Sequence, residues 1–303
     1  MSSSVRIAVI GAGRMGSVHL SVLESLPGVE VAAVVDPVAH GATHADLDEL
    51  LAAGRPNGAV VAAPSTRHLE LVERLLEAGV PTLCEKPCGT TTSEARAAVR
   101  HAEESGTPLQ IGYWRRFVPE LEALRRRIAA GELGEVLLVR SEQWDERPPP
   151  PAFRTSSGGI LVDMGVHELD QMRWLTGQDL DCRAAVAATA GVDPPVDGDP
   201  ESVEAVFALS GGGLGVVSLG RRFPPGDMCR VSVHGTRGVA ECRFLWPPDS
   251  ERAFAEGVVA QDAAFVALIR GGRQQGASPA DAVAALVAAE QAASALESTR
   301  GAS

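Results

Sequence analysis

The sequence predicts an α/β protein in which an N-terminal domain with a parallel sheet precedes an α/β domain with a large, mostly antiparallel open sheet. Three observations carry this. Apolar runs alternate with helical patterns from Val5 to Gly112, and a glycine turn joins the first run to the first helix. Beyond residue 112, strand patterns follow one another with few helices between them.

Val5 to Ile10 is an apolar run that leads into Gly11-Ala12-Gly13-Arg14-Met15-Gly16, about two turns of amphipathic helix, and a second run, Val29 to Val35, that stops at Asp36. The order is strand, turn, helix, strand. Gly11 permits the tight turn, Gly13 lets backbone approach a pyrophosphate, and Gly16 lets the helix sit close on the sheet. An anion at that helix start meets open N–H groups and the positive end of the dipole. Asp36 stands where a carboxylate accepts hydrogen bonds from ribose hydroxyls and repels a 2′-phosphate, so the expected cofactor is NAD rather than NADP.

Residues 37–45 are short and turn-rich, Asp46 to Ala53 reads as a helix, and Gly58 to Ala63 as a buried strand ended by Pro64. Ser65 is the expected cap of a helix with Leu69, Val72, Leu75 and Leu76 at helical spacing, stopped by Gly79. Val80 to Cys84 is the next strand, which leaves Glu85, Lys86 and Pro87 at its carboxyl end, where open α/β sheets face their ligands. Thr92 or Ser93 caps a helix through Glu104, and Leu109 to Gly112 is a last strand. The domains are therefore drawn at 1–112 and 113–303.

In the second domain a helix from Pro119 to Ala130 precedes strands at Glu135–Gln143, Ala184–Ala190, Glu201–Leu209, Gly215–Gly220, Met228–His234 and Gly238–Phe244. Pro148 to Pro151 is a stiff run that reads either as a loop over the site or as a linker. Ser278, Pro279 and Asp281 punctuate the start of a terminal helix that Gly301 ends, and its alanine-rich body from Ala280 to Leu296 reads as packing.

Composition narrows the function. A formal charge of -12 repels phosphate backbones, and Arg125 to Arg127 reads as the solvated face of a helix, so nucleic acid is not an expected partner. No apolar run reaches the roughly 20 residues of a membrane span, and Met1 to Ser4 lead into the first strand without a signal peptide, so the expected location is the cytoplasm. The five cysteines, Cys84, Cys88, Cys182, Cys229 and Cys242, are odd in number and scattered, as reduced thiols are; no His or Cys pair at ligand spacing accompanies Cys84 and Cys88, and no metal is expected.

Two places bring ionisable groups to a cofactor-bound substrate. Lys86 can hydrogen-bond a substrate hydroxyl and favour a developing alkoxide; the other reading is a surface lysine paired with Glu85. Within Ser156 to Leu175, Asp163, His167 and Asp170 fall at i, i+4 and i+7 on one helical face. Asp163 can hold the imidazole in one tautomer, and His167 can take the proton of a secondary alcohol as its hydride leaves. The other reading places His167 in a core with Asp170 paired to Arg173.

Together these stretches resemble the glucose-fructose oxidoreductase, inositol dehydrogenase and rhizopine catabolism (Gfo/Idh/MocA) family. The matching segments are G-A-G-R-M-G from Gly11, A-A-P-S-T-R-H from Ala62, C-E-K-P from Cys84, G-Y-W-R-R-F from Gly112, G-G-I-L-V-D-M-G-V-H-E-L-D from Gly158 and H-G-T-R-G from His234. The resemblance implies a Rossmann domain with NAD(P) in a cleft and a second domain whose open sheet forms a homodimer or homotetramer. It implies that Lys86, Asp163 and His167 are catalytic, and that Arg14, Met15, Ala63, Pro64, Ser65, His68 and Glu85 line the cofactor with the glycine turn. Arg115 then lies near the nicotinamide or substrate, and Trp114, Gln143, Trp144 and Arg154 near the substrate. The expected reaction is NAD-dependent oxidation of a secondary hydroxyl of a cyclitol or sugar-like polyol, or reduction of the ketone. Alternatives are an NAD-using glycosidase and a non-catalytic NAD-binding regulator. The chain departs from the family pattern in its short 37–46 segment, at Val258 and Gln261, and in the loop from Trp144 to Phe153.

Overall fold

The computed structural model describes residues 4–188, 199–247 and 250–300. Its contacts divide the chain into two units, one of residues 1–114 with 257–283, the other of residues 115–256 with 284–303. Residues 257–283 belong with the first unit, where the sequence pattern draws a single cut after 112.

In the first unit, β1 (Val5–Ile10), β2 (Val29–Val35), β3 (Gly58–Val61), β4 (Thr82–Cys84) and β5 (Leu109–Ile111) form a parallel sheet in the order β2-β1-β3-β4-β5. Ile7, Ala8 and Val9 have no exposed surface, as a strand covered on both faces requires. The crossovers are α1 (Arg14–Ser25), α2 (Leu47–Ala53), α3 (His68–Glu77) and α4 (Thr92–Ser105). Three helix starts differ from expectation by one position or one turn. Asp46 precedes α2 and accepts from the Glu49 N–H at 3.0 Å; Thr91 rather than Thr92 or Ser93 makes the capping box of α4; and Ser65 opens a short 3₁₀ turn ahead of α3 instead of capping it. The short segment after β2 turns back beside it, Val35 bridging His44, so no helix forms there.

The second unit holds α5 (Pro119–Ala129), β6 (Val136–Trp144), α6 (Pro151–Ser156), α7 (Val166–Thr176), β7 (Leu180–Ala188), β8 (Ser202–Leu209), β9 (Leu214–Gly220), β10 (Met228–Gly235) and β11 (Val239–Leu245). The sheet order is β11-β10-β6-β9-β8-β7, antiparallel except for the central pair β6 and β9. On β8 the residues Val203, Ala205, Phe207 and Leu209 are buried and the alternate positions are not, the pattern of a sheet with one covered face. Pro151 begins α6, so the proline run is partly helical. The expected end of the strand from Ala184, at Thr189 and Ala190, lies outside the described residues, as does Gly301.

Two helices contribute to both units, α8 (Ser250–Ile269) and α9 (Pro279–Arg300). Phe265 and Val266 of α8 join Val5, Ile7, Val9, Leu23, Val60 and Leu83 in one apolar cluster of the first unit. Ser278 and Asp281 cap α9 reciprocally, the Ser278 N–H donating to Asp281 Oδ2 at 2.8 Å. Among the described residues no helix is long and apolar enough to cross a membrane.

Candidate active site

The glycine turn leaves β1 with Gly11 at φ +92°, and a Cβ there would lie 2.7 Å from the Ala62 backbone. A Cβ on Gly16 would sit 1.9 Å from the Gly11 carbonyl oxygen, whereas one on Gly13 would meet nothing within 4 Å. The turn is tight beneath and open above. Gly13 is the N-cap of α1 and no side chain caps it, so first-turn amides beside the exposed Arg14 and half-buried Met15 remain for an anion. These features fit a pyrophosphate.

Asp36 closes the turn from the end of β2. Its Oδ2 accepts from the Ala12 N–H at 2.8 Å, and Oδ1 accepts from Val38 and Ala39 N–H groups at 2.9 Å each. The Ala12 bond above all holds the carboxyl below its usual range, so it is ionised at neutral pH. Three of roughly four lone-pair directions are used, which leaves Oδ2 one for a ribose hydroxyl.

At the end of β4, Glu85 is buried and Lys86 half-buried, and the Lys86–Pro87 peptide is cis. His68 ties this turn to β3, its Nδ1 lying 2.7 Å from the Pro87 carbonyl oxygen and Nε2 2.8 Å from that of Ala63. Burial pushes the His68 pKa down. Ser65 and Pro64 lie beside it at the surface. Glu85 does not stand alone. His19 of α1 places Nε2 3.1 Å from Glu85 Oε1 and Nδ1 2.8 Å from Oδ2 of Asp262 on α8. Burial alone would lower the His19 pKa, but the two carboxylates outweigh it and raise it to about 10. Trp114 is also buried in this unit and packs on Gly257, where a Cβ would meet its ring at 2.7 Å.

In the second unit the segment Leu161–Gly165 is a π-helical turn that runs into α7, so Asp163 stands in a wider turn than His167 and Asp170. The expected single α-helical face is interrupted, and its carboxylates go to different arginines. Asp163 Oδ2 accepts from Arg221 at 3.1 Å, and Asp170 takes a two-pronged pair from Arg116, at 2.9 Å through Nε. Arg173, the partner that the other reading gave Asp170, pairs with Asp179 at 2.7 Å. His167 is buried at the first turn of α7.

Arg115 sits in the interior of this unit. It pairs with Glu168, donates to Gln143 Oε1 at 2.6 Å and stacks 5.3 Å from the Phe244 ring centroid. Gln143 in turn donates to Asp145 Oδ1 at 3.0 Å. Burial, reinforced by the charges of Asp227 and Asp163 and opposed by Gln143 and Arg221, pushes the Asp145 carboxyl up to about 6. Trp144 donates to Ser218 Oγ at 3.2 Å and lies flat on Gly220. Arg154 is buried between Asp199 and Glu201, donating to Glu201 Oε1 at 2.6 Å.

Comparison with known proteins decides the family. Residues 5–113 match the oxidoreductase family with an NAD-binding Rossmann fold, and residues 121–241 match the GFO/IDH/MocA C-terminal domain. The rhizopine catabolism protein MocA of Rhizobium meliloti is 49% identical over 297 residues, covering 95% of this chain and 93% of that protein. The chain belongs to the Gfo/Idh/MocA oxidoreductase family. It is similar also to the myo-inositol dehydrogenase Hyg17 of Streptomyces leeuwenhoekii, at 38% identity over 78% of this chain and 75% of that one. The solved structure of GenD2 from gentamicin A biosynthesis, in complex with NAD, superposes with a TM-score of 0.89 at 28% identity, covering 99% and 96% of the two chains.

As a Gfo/Idh/MocA oxidoreductase the protein takes NAD. Its structure also engages residues that the sequence reading passes over. His19 falls three positions after Gly16 and reads as part of an amphipathic helix; Asp262 sits in a helix with no clean apolar stripe; Arg221 is the first residue after β9. The one local signal is chemical: a histidine, an acid and an arginine at otherwise apolar or strand-end positions.

Proposed function

We propose that this protein is an NAD-dependent dehydrogenase that oxidises a secondary hydroxyl of a cyclitol or sugar-like polyol, or reduces the corresponding ketone. The observation that supports it best is the complete set Lys86, Asp163 and His167 in a chain similar along most of its length to a myo-inositol dehydrogenase. Bound NAD supplies the hydride acceptor. Lys86 hydrogen-bonds the reacting oxygen and stabilises its negative charge, His167 accepts the hydroxyl proton, and Asp163 steadies the imidazolium that results. Asp36 favours NAD over NADP by repelling a 2′-phosphate. Gln143 and Arg154, on β6 and α6, bear on substrate choice, and Arg115 acts through Gln143; Trp144, next to Gln143 on the strand, points to the opposite face of the sheet and is left out of that set.

The test is NADH absorbance with purified protein against inositols, aldoses, amino-sugars and their ketones. Turnover on a polyol is expected, and His167→Ala lowers it by ~10²–10⁴ with NAD affinity unchanged. Hydrolysis of a glycoside without net NADH would replace this reading by the glycosidase one, and full turnover in His167→Ala would remove His167 from the chemistry. The reading extends to a homodimer or homotetramer acting in the cytoplasm; a monomeric mass in solution would overturn the first part.

A further inference from the structure

A run of charges of alternating sign, buried except for Arg222 at its outer end and the partly buried Asp163 at its inner one, crosses the second unit. Arg222 Nε donates to Glu201 Oε2 at 2.9 Å, Glu201 Oε1 accepts from Arg154, and Arg154 pairs with Asp199. Asp199 Oδ2 lies 3.1 Å from Arg221 Nε, and Arg221 reaches Asp163 Oδ2 at 3.1 Å. Arg221 has no exposed surface and heads the fully buried side chains by size. Such burial is strongly unfavourable for a guanidinium unless carboxylates surround it. Asp199 does a second task, since its Oδ1 accepts from the Ile160 N–H at 2.7 Å, one residue before the π-helical turn that carries Asp163. Arg221 also touches Met164 Sδ at 3.6 Å in that turn. The arginine thus holds both the backbone platform and the carboxylate of the residue that the proposed reaction needs charged.

We propose that Arg221 is a positioning residue that fixes the Asp163 carboxylate in place. This rests on the dehydrogenase reading only for its effect on rate; the placement of Asp163 stands without it. Within the unit Arg221 at the end of β9 pairs with Asp163, Asp145 at the end of β6 opposes its charge, and Asp199 bears on it through Arg221. Asp145 is a carboxyl that itself opposes a second negative charge. Arg221 is the cation that offsets them. Lysine cannot replace it fully, because a single ammonium does not span two carboxylates as a planar fork does.

Two readouts test it. In protein labelled with ¹³C at aspartate carboxyls, with the Asp163 resonance assigned by Asp163→Asn, Arg221→Gln is expected to shift and broaden the Asp163 resonance at pH 7, because the carboxylate loses the guanidinium that fixes it. Arg221→Lys, which keeps a cation in the space, is expected to move it in the same direction by less, and decides the matter alone if the Gln variant does not fold. An unmoved resonance in the folded variant overturns the proposal. In steady-state assays with myo-inositol and NAD, Arg221→Gln is expected to lower kcat about 10- to 100-fold with the KM for NAD unchanged, and to add less than about twofold in an Asp163→Asn background. Full additivity of the two substitutions overturns the proposal, whereas wild-type turnover in Asp163→Asn overturns the dehydrogenase role of Asp163 and leaves the Asp163 resonance to judge Arg221.

Discussion

Replacing His19 by leucine removes the cation from between two buried carboxylates. His19 and Asp262 have no exposed side-chain surface and Glu85 has 7%, so the carboxylates cannot recover water without a local opening of the first unit. Breaking a buried pair by removing one partner costs about 3–5 kcal/mol. The titration of His19 gives the same scale, since a rise from 6.5 to about 10 corresponds to about 5 kcal/mol at most. The folded pKa lies above the unfolded one, so this stabilisation is whole below pH 6.5 and drains away as pH rises toward 10. Urea unfolding followed by circular dichroism at pH 7.0 and 9.5 measures both effects as the difference between wild type and His19→Leu, which cancels groups common to the two. The expected difference is about 3–5 kcal/mol at pH 7.0 and clearly smaller at pH 9.5, with part of the loss restored when Asp262→Leu is added. A difference under about 1 kcal/mol at pH 7.0, or one independent of pH, would refute the reasoning.

Gly16→Ala forces a Cβ to within 1.9 Å of the Gly11 carbonyl unless the turn moves, so NAD affinity measured by calorimetry should fall at least about tenfold; retained affinity would show that the turn gives way freely. Asp145→Asn should stabilise the protein at pH 7.5 by up to about 3 kcal/mol, because a carboxyl raised from 3.8 to about 6 is held charged at a cost above that value. The gain should shrink as pH falls through 6 and vanish below about 3, where the wild-type side chain is protonated in both states. Thermal scans at three pH values check the sign.

The parallel sheet was legible because its signals are local: apolar runs of strand length, Gly11, Pro64 and Gly79 as punctuation, and a helical period at Leu69, Val72, Leu75 and Leu76. The antiparallel strands of the second unit were legible in the same way, though not the parallel pairing of β6 with β9, which depends on which distant strand fills a gap. Helix α8 was hidden because Gln261 and Asp262 are buried among its apolar residues and blur the stripe. The π-helical turn at Asp163 has no compositional mark. Arg115 shows the limit for side chains: its guanidinium finds Glu168 and Gln143 across 53 and 28 positions, and nothing within its own segment foretells either partner.

The first unit takes its second portion from residues 257–283, and that portion supplies Phe265 and Val266 to the apolar cluster, Asp262 to His19 and Ala277 to the edge beside Ile111. During translation, then, the nucleotide-binding half emerges early yet stays unfinished until residues 257–283 have left the ribosome. Until they arrive its nascent form carries an uncovered oily flank, the kind of surface that exposes a partly made chain to aggregation.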